Sequence, residues 1–427
     1  MKINRKIFSI LLISLFLVSC SSNESEIDTE RKVVRTSDLL ENINSSEIGE
    51  DNKKISDHKE DIEEGSVKKT KDQNVEEKNV EVQTVKIKAF GDIMAHLAQI
   101  QYAYNKGGGN YDFSDSFSYV KDYISDADIS IGNYESTTNE NMEYTGFPRF
   151  NTPKEYIYAL KDAGFDILTT ANNHSLDTDK EGLFKTLEAM DEVGISHVGS
   201  QKSKANKILY KDVNGIKLAF LAYTYGANGL VDLTEVREEV AELNYLHEEE
   251  IKSDIKEAKA NGVDFIIVYP HWGIEYHSDP SDYQIELGRN MIEWGADLVI
   301  GNHPHVVEPY EYYKASDGRD GFIAYALGNF ISFQNLENNN DIRTEQSVSY
   351  EIDLSKNPKD GSTNIDNIEA HPVWVGVKYT DFGQSVQTHM AEDFLNYGKY
   401  YDEIDDYQRS RVQRAFDMTL ETINKEN

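Results

Sequence analysis

The stretch ADLVIGNHPH, residues 296–305, decides the fold class of this chain. Its first half is an apolar run of strand length that follows a predicted helix over 281–295. Its second half places two imidazoles, His303 and His305, on either side of Pro304. A buried strand that ends in a polar loop is typical of parallel α/β sheets. Pro304 restricts the backbone and favours an extended His303, so we expect the two rings to be held in a defined relation.

The same helix-then-strand unit recurs on both sides of this stretch. Further strands are predicted at 85–90, 129–135, 165–170, 195–199, 263–269, 322–330 and 348–354. Helices are predicted at 117–128, 153–164, 180–194 and 248–262, with a C-terminal helix somewhere after residue 392. Asn214-Gly215 predicts a hairpin between 207–213 and 216–223. The pattern indicates an α/β core whose central strands are covered on both faces.

The N-terminal segment predicts export. Residues 1–20, MKINRKIFSILLISLFLVSC, have a basic start and an apolar run too short for an ordinary membrane-spanning helix. The run ends in LVSC, which resembles the lipobox of bacterial lipoproteins and predicts lipidation of Cys20. The expected location is the outer face of the bacterial cell membrane, held there by the N-terminal lipid. An uncleaved N-terminal anchor is the alternative.

Residues 21–84 are rich in charged and small polar residues and contain no aromatic residue. Such a segment cannot bury enough apolar surface to offset its chain entropy, so a disordered linker is expected. The chain carries 76 Asp and Glu residues against 43 Lys and Arg, a formal net charge of −33. This charge argues against a nucleic-acid partner. An anionic substrate stays compatible if metal ions supply local positive charge.

Polar side chains follow several predicted strands directly. They are Asp92, Glu135, Asn172, Asn173, His174, His271, His303 and His305. Because the carboxyl ends of parallel strands meet at one edge of a sheet, we expect these residues to surround one cavity. Carboxylate, amide and imidazole donors suit one or two divalent ions such as Mn, Fe, Zn or Mg.

Several of these residues also have a plainer interpretation. Asp92 could cap the following helix, the adjacent asparagines could form a turn, and His271 taken alone could be a hydrogen-bonded loop residue. Trp272 directly follows His271, and we expect it and Asn172 to contact a substrate. The histidines without a strand-end position are taken as structural or surface residues: His96, His197, His247, His277, His371 and His389.

Six motifs occur in order between about residues 85 and 330: GDIM, GNYE, ANNH, HWG, GNHPH and ALGNF. Together they resemble the CapA (PgsA) family of capsule-biosynthesis proteins, which serve poly-γ-glutamate synthesis and export and are similar to calcineurin-type metallophosphoesterases. The resemblance implies a four-layer α/β/β/α sandwich of the metallophosphoesterase-like type over residues 85–335. Residues 336–427 are then expected to add C-terminal strands and helices that complete or cap the core.

The resemblance also implies roles for single residues. Asp92 matches a bridging aspartate and Glu135 an acidic ligand. Asn173 matches an amide ligand, with His174 beside it as the donor to the transition state; the catalytic pair is therefore His174 and Asp92. The remaining implied metal ligands are His271, His303 and His305. One departure is Met94, which stands where the related phosphoesterases carry a histidine ligand.

Three functions are consistent with these features. The first is a membrane-anchored, extracytoplasmic protein of poly-γ-glutamate capsule biosynthesis or export, whose partners would be that polymer or a related anionic polymer and the membrane subunits of a polyglutamate synthase. The second is an extracytoplasmic metal-dependent hydrolase of phosphoesters or amides in envelope substrates. The third is a non-catalytic module that binds a polyanion.

Overall fold

A computed structural model describes residues 82–203, 207–229 and 242–425. The predicted export signal, Cys20 and all but the last few residues of the predicted 21–84 linker lie outside these ranges. In the described part of the chain, no helix combines the length and the apolarity needed to cross a membrane.

The described strands form two mixed sheets. The first contains β1 (Gln83–Ile93), β2 (Ile129–Tyr134), β3 (Ile167–Thr169), β4 (Ser196–Val198), β11 (Asn329–Ile331), β12 (Gln346–Lys356), β13 (Thr363–Thr380) and β14 (Gly383–Met390). Their order is β14-β13-β12-β1-β2-β3-β4, and β11 pairs with the end of β1. Strands β1 to β4 are parallel, which brings their carboxyl ends to one edge.

The second sheet has the order β5-β6-β7-β8-β10-β9. Its strands are β5 (Leu209–Val213), β6 (Ile216–Thr224), β7 (Phe265–His271), β8 (Leu298–Ile300), β9 (Tyr310–Lys314) and β10 (Asp320–Ala324). The four central strands are parallel. The edge strand β5 and its neighbour β6 form the predicted hairpin, which turns at Asn214 and Gly215, both with positive φ.

The described part of the chain contains eight α-helices. They are α1 (Leu97–Lys106), α2 (Lys121–Ser125), α3 (Lys154–Ala163), α4 (Asp179–Val193), α5 (Glu248–Ala260), α6 (Asp282–Trp294), α7 (Leu336–Asn339) and α8 (Asp406–Ile423). Short 3₁₀ helices occur at Ser114–Phe117, Ile342–Glu345, Ala391–Phe394 and Tyr401–Glu403. The C-terminal helix α8 begins with a capping box in which Asp405 and Gln408 bond each other's backbone N–H groups.

Alternation along the strands produces the layers. On β7, Ile267 and Tyr269 pack in the core between the sheets, whereas Ile266 and Val268 pack against α5 and α6. The outer face of the first sheet packs through a separate cluster against α1, α3 and α4. The observed order is helix, sheet, sheet, helix, so the predicted four-layer α/β/β/α architecture is confirmed.

Two predicted elements were wrong in extent. The helix expected over 117–128 is only α2, because tertiary donors take its terminal carbonyls: Lys88 Nζ bonds Tyr123 at 2.8 Å and Ser130 Oγ bonds Ile124 at 2.5 Å. The strand expected over 322–330 is β10 and β11, which belong to different sheets. The chain leaves one sheet for the other at Gly328, whose φ is +78°.

Candidate metal centre

The ends of the parallel strands bring the predicted site residues together. Asp92 lies near the end of β1, Glu135 directly follows β2, and His271 ends β7. The remaining predicted residues occupy the loops after β3 and β8. Hydrogen bonds and close contacts connect all these segments, and every one of the side chains is buried. Both sheets therefore contribute to one polar cluster at their common edge.

Asp92 is fixed by three neighbours. Its Oδ1 accepts a hydrogen bond from Asn133 Nδ2 at 2.8 Å. Its Oδ2 accepts the backbone N–H of His303 at 3.3 Å and lies 3.2 Å from His305 Nδ1. The carboxylate thus links the first sheet to the loop that follows β8.

Glu135 is the carboxylate shared by two candidate ligand sets. Its Oε1 lies 3.7 Å from His271 Nε2 and 3.7 Å from His305 Nε2, yet it is buried and accepts no hydrogen bond from any described residue. Burial, reinforced by the Asp92 carboxylate, raises the pKa of Glu135 well above its usual range. A buried carboxylate oxygen without a donor fits a cation as its missing partner.

The donor atoms of two sets of three buried residues lie close enough to one another to hold a metal ion. Glu135, His271 and His303 form one set, and Asp92, Glu135 and His305 form the other; within each, the donor atoms lie within 4.8 Å of one another. The common member is Glu135, whereas the resemblance implied bridging by Asp92. Asp92 Oδ1 already has a donor in Asn133. Bridging by Asp92 stays a prediction.

His271 and Asn173 contact each other through a ring nitrogen and an amide oxygen, both of which can be metal ligands. Its Nε2 lies 2.9 Å from Asn173 Oδ1, and its Nδ1 lies 3.3 Å from Asn133 Nδ2. Burial, followed by the nearby imidazole of His303, lowers the pKa of His271 well below its usual range. The ring is therefore neutral, as a metal ligand must be.

The loop carrying His303 and His305 has left-handed backbone. The φ angles are +105° at His303 and +60° at His305, so the extended His303 expected from Pro304 is wrong. Two tertiary contacts hold this conformation, the His303 N–H on Asp92 and the Tyr276 N–H on the Pro304 carbonyl at 2.8 Å. Positive φ at such residues costs on the order of 1–3 kcal/mol each and is found mainly at functional sites.

The ring nitrogens of the pair have different surroundings. His303 Nδ1 is buried without a hydrogen-bond partner among the described residues. Burial, then His305, lowers the pKa of His303 to about 3. His305 Nδ1 lies 3.1 Å from Asn329 Oδ1, and Asn329 Nδ2 donates to the Thr344 carbonyl at 3.0 Å. The amide orientation assigns the proton to His305 Nδ1 and directs the Nε2 lone pair towards Glu135.

His174 is positioned by an aspartate three residues further on. Its Nδ1 lies 2.7 Å from Asp177 Oδ2, which also accepts the Phe150 N–H at 2.5 Å. The Phe150 ring packs edge-on against the imidazole, with the centroids 4.7 Å apart. Nδ1 is therefore the nitrogen held by the protein, and Nε2 is the one able to serve a reacting group.

The two predicted substrate contacts, Trp272 and Asn172, are both buried and hydrogen-bonded within the protein, and their contact with a substrate stays a prediction. Trp272 is fully buried, donates its indole N–H to the Tyr325 carbonyl at 2.9 Å and packs beneath the second sheet. Asn172 is fully buried as well, and its amide donates to the Tyr134 carbonyl at 2.8 Å while its Oδ1 accepts the His174 N–H. Asn172 joins two loops of the site, and Trp272 is a core residue.

Three residues of the cluster had no predicted role. Asn133 contacts Asp92, Glu135 and His271, and its position two before Glu135 on β2 places both side chains on one face of the strand. Asn329 lies in the motif ALGNF and Asp177 three residues beyond His174. Their positions in the motifs were visible, but their contacts depend on the tertiary structure.

Two solved structures with partial similarity are a phosphoesterase and a nucleotidase. The calcineurin-like phosphoesterase YfkN from Bacillus subtilis aligns with 14% identity and a TM-score of 0.41 over 81% of this chain and 100% of that chain. The NAD nucleotidase of Haemophilus influenzae aligns with 12% identity and a TM-score of 0.40 over 81% of this chain and 64% of that chain.

The curated relatives are more similar in sequence. The capsule biosynthesis protein CapA of Bacillus anthracis is 30% identical over 278 residues, which are 62% of this chain and 63% of the relative. The PGA biosynthesis protein CapA of Bacillus subtilis is 31% identical over 288 residues, 66% of this chain and 70% of the relative. The chain thus spans somewhat less than two thirds of the first relative's length.

The family model described as bacterial capsule synthesis protein PGA_cap matches residues 86–334. This range contains the strands and loops that carry all the candidate metal ligands. The chain belongs to the bacterial capsule synthesis protein PGA_cap family.

Proposed function

We propose that this protein acts in the synthesis or export of poly-γ-glutamate capsule through a divalent-metal site at the common edge of its two sheets. The observation that carries the proposal is Glu135: a buried carboxylate oxygen without a hydrogen-bond donor lies 3.7 Å from a ring nitrogen of each of two histidines. Family membership supplies the biological context.

The donors present fit divalent ions. One ion would be held by Glu135, His271 and His303. Asn173 lies beside this set, because its Oδ1 is 2.9 Å from His271 Nε2. A second ion would be held by Asp92, Glu135 and His305. Oxygen and imidazole donors of this kind suit Mn, Fe, Zn or Mg. When bound, such ions act as Lewis acids towards a phosphoryl or carbonyl oxygen and stabilise its developing negative charge.

The chain itself supplies a proton donor beside these ligands. Asp177 and Phe150 orient the His174 ring, and the backbone N–H of His174 is fixed on Asn172 Oδ1. When the ring carries a proton on both nitrogens, with the Asp177 carboxylate at Nδ1, it can give the Nε2 proton to the oxygen or nitrogen of a leaving group and keep the Nδ1 proton. An oriented acid next to the ligands favours bond cleavage, and so supports a metal-dependent hydrolase of polymer or envelope substrates as the second candidate.

Complementation in the host tests the function. The gene is deleted and replaced by wild type, Glu135→Gln, His303→Ala or His174→Ala, and γ-linked glutamate polymer on the cells is quantified. His371→Ala is the matched control, since His371 is a partly exposed imidazole near Glu369 and Glu392, away from the site. We expect polymer to be lost with Glu135→Gln and with His303→Ala but not with the control. Normal amounts of polymer at normal protein levels in both variants would contradict the proposal.

The role of His174 separates catalysis from binding. If the site breaks a bond, His174→Ala abolishes polymer formation or hydrolysis while the metal content stays at the wild-type level. A polyanion-binding module would tolerate this change and fail only when the ligand His303 is removed. Purified protein loaded with Mn, Zn or Fe and assayed on phosphodiester and amide substrates provides the direct measurement.

We also propose that the protein is exported and lipid-anchored through Cys20, where it meets the membrane subunits of a polyglutamate synthase. The support is the LVSC sequence after an apolar run. Labelling with a palmitate analogue should mark the wild type and not Cys20→Ala, and the variant should leave the membrane fraction. Labelling that persists in Cys20→Ala would contradict lipidation of Cys20. Failure of the synthase subunits to co-purify with the wild type would contradict the partnership.

A further inference from the structure

A carboxylate outside the residues considered so far faces the two histidines of the GNHPH loop. Glu275 lies in the loop between β7 and α6, and its side chain is exposed. One of its carboxylate oxygens and one ring nitrogen each of His303 and His305 all lie within 4.8 Å of one another. No described residue forms a hydrogen bond or an ion pair with that carboxylate.

The loop around Glu275 is held against the histidine pair by its backbone. The next residue, Tyr276, has a φ of +63° and donates its N–H to the Pro304 carbonyl between the two histidines at 2.8 Å. Arg343 bonds the Tyr276 carbonyl at 2.9 Å and Ser278 Oγ at 3.1 Å. A left-handed non-glycine residue fixed on both sides is a costly arrangement that sets where the neighbouring side chain lies.

An exposed glutamate is ordinarily a solvated surface residue, and two further observations distinguish Glu275. The first is His303, a buried member of the same group, whose Nδ1 has no hydrogen-bond partner among the described residues. The second concerns the loop after β1, which offers no donor two residues beyond Asp92: Met94 is buried, and a thioether is a poor ligand for a hard divalent ion. Glu275 would supply a hard oxygen donor on the side of the cluster that faces solvent.

We propose that Glu275 is a metal ligand that completes the site from its solvent-facing side, together with His303 and His305. This inference rests on the proposed metal site and adds a donor to it. Glu275 would repel an approaching carboxylate or phosphate, and a bound cation would offset this repulsion. Binding of an anionic polymer at this place is therefore expected to depend on the metal.

Metal titration of the purified full-length chain tests the assignment. Mn²⁺ binding is measured by calorimetry and by elemental analysis after desalting, for wild type, Glu275→Gln and Glu286→Gln. Glu286 is the matched control because it is an exposed glutamate on α6. Loss of a direct ligand should weaken Mn²⁺ binding at least about tenfold, since removal of groups that only support ligands already costs 10–100-fold. The melting temperature of the metal-free protein should be the same in all three.

The outcomes separate this inference from the function on which it rests. Wild-type Mn²⁺ affinity and stoichiometry in Glu275→Gln would overturn the assignment, while loss of binding in Glu135→Gln in the same series would leave the metal site itself standing. A wild-type chain that takes up no Mn²⁺, Zn²⁺ or Fe²⁺ would overturn both. Weaker binding in Glu275→Gln with an unchanged Glu286→Gln supports Glu275 as a ligand.

Discussion

His174 Nδ1 and Asp177 Oδ2 lie 2.7 Å apart, and both side chains are buried. The same aspartate oxygen accepts the Phe150 N–H, and the Phe150 ring packs against the imidazole. The Asp177 carboxylate therefore fixes both the orientation of the His174 ring and the position of Phe150, which packs against that ring. This arrangement orients Nε2 and assigns the Nδ1 proton, which a histidine on a free loop would not achieve.

Asp177→Asn should impair the reaction without removing the metal. An asparagine can accept a hydrogen bond from Phe150 or from His174 through its single carbonyl oxygen, and its amide can donate to Nδ1 and so favour the wrong tautomer. We expect polymer output to fall about a hundredfold, the lower range for loss of general acid catalysis. The checks are ¹⁵N chemical shifts of His174, which should show the altered tautomer, and metal content, which should not change. An unaltered tautomer together with full output would contradict this role.

Glu135→Gln should stabilise the metal-free protein and abolish its stabilisation by metal. The carboxylate has one buried oxygen without a donor, a situation that costs about 1–3 kcal/mol. Because burial raises its pKa, the folded state binds the proton more tightly than the unfolded state, and the variant's advantage should appear above pH 4.5 and vanish below it. Melting curves with EDTA and with Mn²⁺ provide the measurement. If the metal-free variant is instead less stable at pH 7, the carboxylate has a structural partner in solution.

Glu308 provides a pH-dependent contribution to stability away from the ligand atoms. Its side chain is buried, accepts Gln284 Nε2 at 2.6 Å through Oε2 and leaves Oε1 without a donor. Burial raises the pKa of Glu308 to about 8. A raised folded-state pKa means that the contribution is complete below pH 4.5 and is lost as pH rises towards 8.

Glu308→Gln should remove this pH dependence while keeping an acceptor for Gln284. Relative to wild type, the variant should gain a few kcal/mol of unfolding free energy between pH 5 and pH 8.5. Urea unfolding of metal-free protein at both pH values measures the difference, and titrating groups common to the two proteins cancel in the comparison. Parallel pH profiles for wild type and variant would show that Glu308 does not titrate in this range.

The sequence predicted which polar residues lie at the strand ends, because the end of an apolar strand marks where a loop begins. Asp92, Glu135 and His271 lie at such ends, and the parallel strands bring them together. The conformation of the loops was not predictable in this way. The left-handed φ at His303 depends on Asp92 and Tyr276, which are distant in sequence, and these contacts override the local preference of a residue before proline.

Burial of single loop residues also depended on distant partners. Trp272 follows His271 and looked accessible, but the carbonyl of Tyr325 accepts its indole N–H and the second sheet covers its ring. The predicted 322–330 strand failed for a related reason, since an apolar run does not reveal that its two halves join different sheets. Local periodicity predicts elements, whereas the partners of each element come from the tertiary structure.

Trp272→Phe provides the last test, because it separates a core residue from a substrate contact at the position next to a ligand. Phenylalanine removes the hydrogen bond to Tyr325 and part of the buried ring volume, so we expect the unfolding free energy to fall by about 1–3 kcal/mol. Mn²⁺ affinity and binding of γ-linked glutamate oligomers should stay at wild-type values, since the indole faces away from the cluster into the core. Trp294→Phe on α6 is the control for a partly buried tryptophan and should have a smaller effect on stability. Weaker oligomer binding at unchanged stability would instead support Trp272 as a substrate contact.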